Sequence, residues 1–249
     1  MIPIKSEQDI KIMREGGQIL ARILTEVIKR VKPGVSTQEL NDVAHNLMQD
    51  LGVEPVFLGY QGYTGVLCAS INDEVVHGIP DPKAFVKNGD IIGLDIGIRH
   101  RGLCTDMART VAVGTISSPA RKLIKATREA LDAGIAMVKP GAQVGDISSA
   151  IQRYAESRGY SLVRTLYGHG VGRELHEEPT IPNFGLPNTG PEIKPGMTLA
   201  IEPMVNIGQH KVETLSDGWT VITSDGHLSA HYEDTVAVTA SGHEILTRI

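Results

Sequence analysis

The stretch KNGDIIGLDIGIRHRGLCTDMARTVAV, residues 87–113, decides the fold of this chain. Short runs rich in branched apolar residues and bounded by polar turns predict strands. The stretch therefore predicts two strands, Ile91–Ile98 and Leu103–Val113, joined by the turn Arg99-His100-Arg101-Gly102. Strands joined by so short a turn pair as an antiparallel hairpin.

This hairpin carries two acids within otherwise apolar strands. A turn centred between His100 and Arg101 would place Asp95 directly opposite Asp106, with both side chains on one face and their Cβ atoms about 5 Å apart. Like charges in that arrangement destabilise a sheet. Two carboxylates so close either share a proton or are neutralised by a cation. The rest of the chain has to decide between these two states.

Size and composition indicate a globular protein of modest charge. The chain has 249 residues, of which 41% are hydrophobic, with a net charge of −5 and a pI near 6.0. This charge offers no basic surface for nucleic acid, and no run of Lys and Arg indicates a membrane surface. Cys68 and Cys104 are too few for a disulfide framework, and neither a leader peptide nor a long apolar span is evident. We therefore expect a cytoplasmic protein with small or peptidic partners.

Four helices are predicted outside the hairpin. Ser6-x-x-Asp9 is a capping pattern before the apolar-periodic stretch 10–31, which Gly16-Gly17 is expected to break or weaken. The other predicted helices are Thr37–Leu51, Arg121–Val138 and Val144–Arg158. Each pair of helices is separated by the same turn, Val-Lys-Pro-Gly, at residues 31–34 and 138–141. The order of elements therefore repeats.

The two Val-Lys-Pro-Gly turns lie 107 residues apart, and the same offset relates other features. It carries the strand that begins at Ile91 onto Thr198–Glu202, so Asp95 falls on Glu202. Asp106 has a less exact counterpart in Glu233. The second half contains an insertion before this point, and Glu233 lies two residues closer than Asp106 to the Thr-Val-Ala-Val segment that follows each acid. Several matches at one offset indicate a duplication. We expect a single domain over residues 1–249, with halves of about 1–113 and 114–249.

The duplication predicts an α+β fold with pseudo-twofold symmetry, in which helices lie outside a bent, mainly antiparallel sheet and acids from both halves meet on its inner face. His169 joins them because it lies among the glycines of residues 168–172, where backbone can approach closely. Four carboxylates and one imidazole suit a pair of hard or borderline divalent ions better than a thiolate-type zinc site. Taken singly, each acid is also explained by solvent exposure or an Arg partner, and His169 by a structural role.

Two further histidines occupy paired turns, His77-Gly78-Ile79-Pro80 and His176-Glu177-Glu178-Pro179. A histidine beside a metal centre can donate a hydrogen bond to an amide oxygen, and its pKa lies near working pH. Capping of a turn and simple surface exposure are the alternatives for both residues.

These motifs, in this order, resemble the methionine aminopeptidases of the type I, bacterial class. The resemblance runs along nearly the whole chain and is carried by the His77 turn, Asp95, Asp106, the segment GHGVGRELHEEP at residues 168–179, Glu202 in Ile-Glu-Pro-Met, and Glu233. It implies the pita-bread fold. It also implies a metal-dependent hydrolase that removes the initiator methionine from nascent proteins and peptides, with a small second residue preferred.

The resemblance further implies a cofactor of two divalent ions, Co, Mn, Fe or Zn. The implied ligands are Asp95 for one ion, His169 and Glu202 for the other, and Asp106 and Glu233 as bridges. Glu202 would also act as general base. His77 and His176 would contact the substrate amide and stabilise the tetrahedral intermediate. A monovalent cation near Asn72 and Ser229 is implied as well.

A pocket for the methionine side chain is also implied by the resemblance. Its expected lining residues are Tyr60, Tyr63, Cys68, Leu175 and Trp219, which would otherwise be read as ordinary core. A thioether is unbranched and polarizable, so a narrow aromatic and sulfur-containing pocket suits it. The family often has Pro-Lys-Ser after the second tyrosine and Phe before the second histidine, where this chain has Thr64-Gly65-Val66 and Leu175. Leucine in place of phenylalanine would loosen the pocket.

Two other functions stay open at this point. An Xaa-Pro aminopeptidase or prolidase shares the implied fold, but such enzymes usually carry a separate N-terminal domain for which 249 residues leave no room. A non-catalytic peptide-binding or ribosome-binding module would typically have lost ligands, and all five are present here. The implied partners are nascent polypeptide N-termini, with transient ribosome association. We expect a monomer that binds neither nucleic acid nor membrane.

Overall fold

The computed structural model describes residues 2–249, and these contain a short 3₁₀ helix at Tyr60–Gly62 and four α-helices. They are α1 (Glu7–Ile28), α2 (Thr37–Asp50), α3 (Ser118–Ile135) and α4 (Val144–Glu156). All four predicted helices are confirmed. The predicted cap of α1 is confirmed: the side chain of Ser6 accepts a hydrogen bond from the Asp9 N–H, and the helix begins at the residue after Ser6. α3 begins three residues earlier than predicted because it follows Ser117, whose side chain accepts a hydrogen bond from the Ala120 N–H.

The strands form one large sheet and two small ones. In chain order they are β1 (Glu54–Pro55), β2 (Cys68–Ile71), β3 (Glu74–Val76), β4 (Ile91–His100), β5 (Leu103–Ala112), β6 (Ser161–Leu162), β7 (Tyr167–Gly170), β8 (Glu177–Pro182), β9 (Thr198–Ile201), β10 (Met204–Asn206), β11 (Val212–Thr214), β12 (Val221–Thr223), β13 (Ser229–His231), β14 (Glu233–Val238) and β15 (His243–Ile245). The large sheet has the order β1-β4-β5-β14-β9-β7-β8, with β2 paired to β4 and β15 to β14; the small sheets are β13-β10-β6 and β11-β12-β3. Every strand pair between described residues is antiparallel.

The hairpin of β4 and β5 is present, but its predicted register is wrong. The turn consists of Arg101 and Gly102, both with positive φ (51° and 83°), and not of four residues. A two-residue turn of this kind matches the twist of the strands it joins. It moves the register by two positions, so Asp95 pairs with Ala108 and Asp106 pairs with Gly97. The two acids still share a face, but as diagonal neighbours.

The duplication is visible in the backbone hydrogen bonds. Gly34 N–H donates to Val86 O at 2.8 Å, and 107 residues later Gly141 N–H donates to Ile193 O at 3.0 Å. The antiparallel bridge between positions 36 and 85 recurs between positions 143 and 192. Both Val-Lys-Pro-Gly turns are therefore attached to their halves in the same way. The predicted α+β, pseudo-twofold organisation is confirmed.

Each half has its own hydrophobic core, which lies between its two helices and the large sheet. One buried cluster joins α1 and α2 to β4, and the other joins α3 and α4 to β9 and β14. On β4 the residues that enter the core are Ile92, Leu94, Ile96 and Ile98. Because alternate residues of a strand point to opposite faces, Asp95 points to the face away from this core. No helix within residues 2–249 combines the length and the apolar character needed to cross a membrane.

α1 is continuous through Gly16 and Gly17, so the expected break is wrong. A Cβ atom at Gly17 would lie 2.3 Å from the backbone oxygen of Leu246, and one at Gly16 would lie 3.1 Å from Cβ of His100. The glycines thus allow the helix to approach the sheet and the C-terminal segment closely. Tertiary packing outweighs the intrinsic helix penalty of glycine here.

Candidate active site

Strand pairing aligns several of the predicted site residues on one face of the large sheet. Cys68 pairs with Asp95, Asp95 pairs with Ala108, and Ala108 pairs with Glu233. Directly paired residues of antiparallel strands have their side chains on the same face. Asp106 lies two residues from Ala108 on β5 and therefore shares that face. The sheet alone brings three carboxylates from both halves together.

His169 and Glu202 complete the cluster from the other side. His169 pairs with Ala200 on β9, and Glu202 follows the end of that strand. Nε2 of His169 lies 3.5 Å from Oε1 of Glu202. Asp106, His169 and Glu233 each offer one candidate ligand atom, and these three atoms lie within 4.8 Å of one another. Asp95 and Glu202 line the same pocket, so all five predicted ligands meet there.

The electrostatics of this cluster require a cation or bound protons. Burial and the neighbouring Asp106 hold the pKa of Asp95 well above its usual range, and burial raises the pKa of Asp106 to about 7. Burial and the neighbouring acids likewise raise the pKa of Glu202 and of Glu233. Neither lysine nor arginine is among the residues that line the pocket. A buried carboxylate cluster of this kind is stabilised by divalent cations.

Unpartnered atoms support the same conclusion. Asp95 Oδ1, Asp106 Oδ1 and Glu233 Oε1 are buried and have no hydrogen-bond partner among the described residues. Burial, and then the neighbouring His176, lowers the pKa of His169 to about 3, so its imidazole is neutral and free to bind a metal. The donor set of carboxylates and one imidazole fits divalent metal ions. A single shared proton would leave several of these oxygens uncompensated.

The two histidines of the paired turns face the same pocket. His77 follows β3 with a φ of 60°, and its ring lies 6.1 Å from that of Trp219. Nδ1 of His176 lies 2.8 Å from the hydroxyl of Tyr60, and the rings of His176 and His169 are 4.3 Å apart. Burial, and then His176, lowers the pKa of His77 to about 4, and burial also lowers the pKa of His176. Both rings are therefore neutral hydrogen-bonding groups near pH 7.

A cavity of about 310 Å³ adjoins the carboxylates. All five residues expected in the side-chain pocket line it: Tyr60, Tyr63, Cys68, Leu175 and Trp219. The rings of Tyr63 and Trp219 meet edge to face with 5.0 Å between their centroids. Thr64, Gly65 and Val66 do not line the cavity, so of the two departures from the family pattern only Leu175 reaches it.

Sequence reasoning missed two lining residues and one neighbour of the site. Phe57 and Gln61 line the cavity from the segment between β1 and β2, where neither strand nor helix periodicity marks them. His231 is buried against Glu202, with 3.6 Å between Nε2 and Oε2. Its position two residues before Glu233 is the one sequence signal that could have indicated it.

Comparison with known proteins identifies the family. Residues 11–240 match metallopeptidase family M24. The chain is 49% identical to methionine aminopeptidase 1 of Bacillus subtilis, over 100% of both chains. It superposes on the crystal structure of methionine aminopeptidase from Thermotoga maritima with a TM-score of 0.98 at 44% identity, again over 100% of both chains.

Proline-specific enzymes share the fold at a greater distance. The prolidase of Pyrococcus horikoshii matches with a TM-score of 0.80 at 24% identity, over 98% of this chain and 63% of the prolidase. That likeness concerns the fold alone, and together with the Thermotoga match it confirms the pita-bread architecture. The full-length identity, the family match and the convergence of five candidate metal ligands agree with one another. The chain belongs to the methionine aminopeptidases of metallopeptidase family M24.

Proposed function

We propose that this protein removes the initiator methionine from nascent proteins and peptides, with a preference for a small second residue. The observation that carries the proposal is the position of the carboxylate cluster beside an aromatic and sulfur-lined cavity of about 310 Å³. A free peptide amino terminus would be held at the carboxylate cluster. The methionine side chain would then enter the cavity, where a flexible thioether packs well against Tyr63, Cys68 and Trp219.

Two divalent ions fit the carboxylate cluster, and the roles of its members follow the family pattern. Asp95 would bind one ion, His169 and Glu202 the other, and Asp106 and Glu233 would bridge them; the candidate ions are Co, Mn, Fe and Zn. The unpartnered oxygens of Asp95, Asp106 and Glu233 support this arrangement. When bound, such ions offset the negative charge and activate water for attack on the amide.

The side chains of the chain itself would handle protons and orient the amide. Glu202 would accept the proton of the attacking water, a role suited to a carboxylate whose pKa is raised by burial and by the neighbouring acids. If the hydroxyl of Tyr60 donates to Nδ1 of His176, then Nε2 of His176 carries a proton toward the substrate. His77 would contribute a second donor, and the two would stabilise negative charge on the amide oxygen.

A monovalent cation near Asn72 and Ser229 is part of the proposal. The N–H of Ser229 donates to Asn72 O at 2.9 Å, and Ser229 pairs with Asn206. Oδ1 of Asn206 is buried and lacks a hydrogen-bond partner among the described residues. Oxygen atoms of this kind suit a hard cation.

The remaining proposals concern partners and location. We propose that residues 1–249 act as one peptidase domain and as a monomer, and that the substrates are nascent N-termini met in transient association with the ribosome. A net charge of −5 argues against nucleic acid as a partner. Cys68 and Cys104 are both unpaired, which favours the reducing cytoplasm.

One assay separates the proposed activity from its rivals. The metal-loaded protein is incubated with Met-Ala-Ser, Leu-Ala-Ser and Ala-Pro peptides, with and without a chelator. We expect cleavage of Met-Ala-Ser alone and loss of that cleavage with chelator. Cleavage confined to the Ala-Pro peptide would instead identify a proline-specific enzyme. No cleavage with any of several metals would favour a peptide-binding module.

A further inference from the structure

Glu202 lies between two strands, so the sheet itself does not orient its side chain. β9 ends at Ile201 and β10 begins at Met204, and between them the chain passes from the large sheet to a small one. The backbone oxygen of Glu202 accepts a hydrogen bond from Nδ2 of Asn183 at 3.1 Å. This contact anchors the backbone and leaves the carboxylate to be oriented by other groups.

Two histidines lie on either side of that carboxylate. Nε2 of His169 is 3.5 Å from Oε1, and Nε2 of His231 is 3.6 Å from Oε2. His169 is explained by the proposed metal site, whereas His231 has no role in it. The side chain of His231 is 4% exposed, and its Nε2 is buried without a hydrogen-bond partner among the described residues. An unsatisfied buried polar atom costs about 1–3 kcal/mol, so a partner is expected.

The backbone of His231 is held firmly in place. Its N–H donates to Oγ1 of Thr110 at 2.9 Å, and the Thr110 hydroxyl donates back to His231 O at 2.8 Å. His231 also pairs with Met204 across β13 and β10. The backbone of His231 is thus attached to both the large sheet and a small one. Within the described residues, Glu202 is the one acidic group within 4.0 Å of its ring nitrogens.

The duplication shows what His231 replaces. Ile91 pairs with Ala112 in the first half, and Thr198 pairs with Ala237 in the second. Counted from these pairs, Glu233 corresponds to Ala108, so the expected match of Glu233 with Asp106 is wrong. His231 occupies the position that Asp106 holds in the first half. The second half therefore has an imidazole where the first has a carboxylate. Another acid at this point would add negative charge to the cluster, whereas a neutral N–H donor would stabilise Glu202.

We infer that His231 is a positioning residue. Closing the 3.6 Å gap between its Nε2 and Oε2 of Glu202 by a few tenths of an ångström would form a hydrogen bond from the imidazole N–H, which would leave Oε1 for the ion shared with His169. The inference rests on the proposed metal site. Partners that orient a metal-binding group change metal affinity or activity by about 10–100-fold when they are removed.

Two substitutions at this position test the inference. His231→Leu removes the donor at similar volume, and His231→Gln keeps an amide N–H donor. Mn²⁺ is titrated by calorimetry into the metal-free wild type, both variants and a His227→Leu control, in which an exposed histidine nearby is replaced. We expect the Leu variant to bind one Mn²⁺ ion about 10–100-fold more weakly, with the Gln variant and the control within about threefold of wild type. Equal affinity in the Leu variant and the wild type would overturn the inference, as would equal losses in the Leu and Gln variants.

A measurement on the wild type distinguishes a donor from a metal ligand and does not depend on whether a variant folds. In ¹⁵N NMR of the Zn²⁺-loaded protein, we expect Nε2 of His231 to carry a proton. An unprotonated, metal-bound Nε2 would overturn the inference. Cleavage of Met-Ala-Ser is assayed separately, so a wild type that binds Mn²⁺ without cleaving this peptide would refute the proposed function while the affinity comparison still decides the role of His231.

Discussion

His77 and His169 line the same pocket, yet they have different neighbours, and we propose different functions for them. His169 has a ring nitrogen close to carboxylate oxygens of both Asp106 and Glu233. His77 instead lies beside Trp219, on the side of the cavity that would hold the substrate. The residue type alone could not separate a metal ligand from a substrate contact, because a neutral imidazole serves either purpose.

Alanine substitutions separate these two roles. We expect His169→Ala to weaken metal occupancy, because one ligand is lost. His77→Ala should leave occupancy intact and lower kcat by ~10²-fold or more, because a donor to the developing oxyanion is lost. Metal content by atomic emission and peptide kinetics test both statements. Equal metal loss in the two variants would show that the roles of ligand and substrate contact are wrongly assigned to these two histidines.

The hydroxyl of Tyr60 offers a milder test of the same chemistry. Tyr60→Phe removes the group 2.8 Å from Nδ1 of His176, so the imidazole loses the partner that orients its other nitrogen. We expect kcat to fall about tenfold with little change in KM. Tyr167→Phe is the control, because that exposed tyrosine donates to Arg164 O away from the pocket. A Tyr60→Phe enzyme with wild-type kcat would exclude this role.

At the scale of elements, close approach between α1 and its surroundings holds the site's hairpin in place. Gly16 packs against His100 at the end of β4, and Gly17 packs against the backbone of Leu246. The same helix buries Leu20, Ile23 and Leu24 in the core beneath β4. Asp95 projects from the opposite face of this strand, so the helix supports the carboxylate cluster without contacting it.

This packing predicts a reversed glycine effect. In an ordinary helix Gly→Ala stabilises by about 1 kcal/mol. At Gly17 the new methyl group would lie 2.3 Å from Leu246 O, and we expect a net destabilisation of about 1–3 kcal/mol. Gly242→Ala is the control, since no atom within 4 Å would meet its Cβ. Urea unfolding midpoints compare the two, and a stabilised Gly17→Ala variant would contradict the packing.

At the scale of the whole molecule, the carboxylate cluster opposes folding unless its charge is neutralised by cations or by bound protons. The pKa values of Asp95, Asp106, Glu202 and Glu233 are all raised by burial in the folded protein. The folded state therefore retains protons that the unfolded state has released, and stability falls as pH rises. The lowered pKa values of His77, His169 and His231 act in the opposite direction, but only below about pH 6.5, where unfolded histidines are charged.

We therefore expect the metal-free protein to lose stability between pH 7 and pH 8. Each acid that keeps its proton in the folded state contributes about 1.4 kcal/mol of loss per pH unit. Bound Mn²⁺ should remove most of this slope, because the ions stabilise the charged acids. Thermal unfolding with and without Mn²⁺ measures both slopes, and Glu233→Gln should flatten the metal-free one. A metal-free protein whose Tm is constant across this range would contradict the proposed electrostatics.

Several features of this protein could be determined from the amino-acid sequence by itself. Helical periodicity predicted the four helices, and the 107-residue offset predicted the duplicated architecture. Acids in apolar strands indicated the cluster, and the ordered motifs identified the family and the pocket. These properties depend on residue type and spacing, which a sequence contains in full.

Only the tertiary structure decided the register of the hairpin, the continuity of α1 and the place of His231. The register depends on whether the turn has two residues or four, and Arg101 adopts a positive φ that its residue type does not favour. Gly16 and Gly17 would weaken an isolated helix, but here they fit against distant backbone. His231 lies beside Glu202 because the break between β9 and β10 faces the break between β13 and β14. Each of these outcomes is set by contacts between residues far apart in the chain, and no local pattern records such contacts.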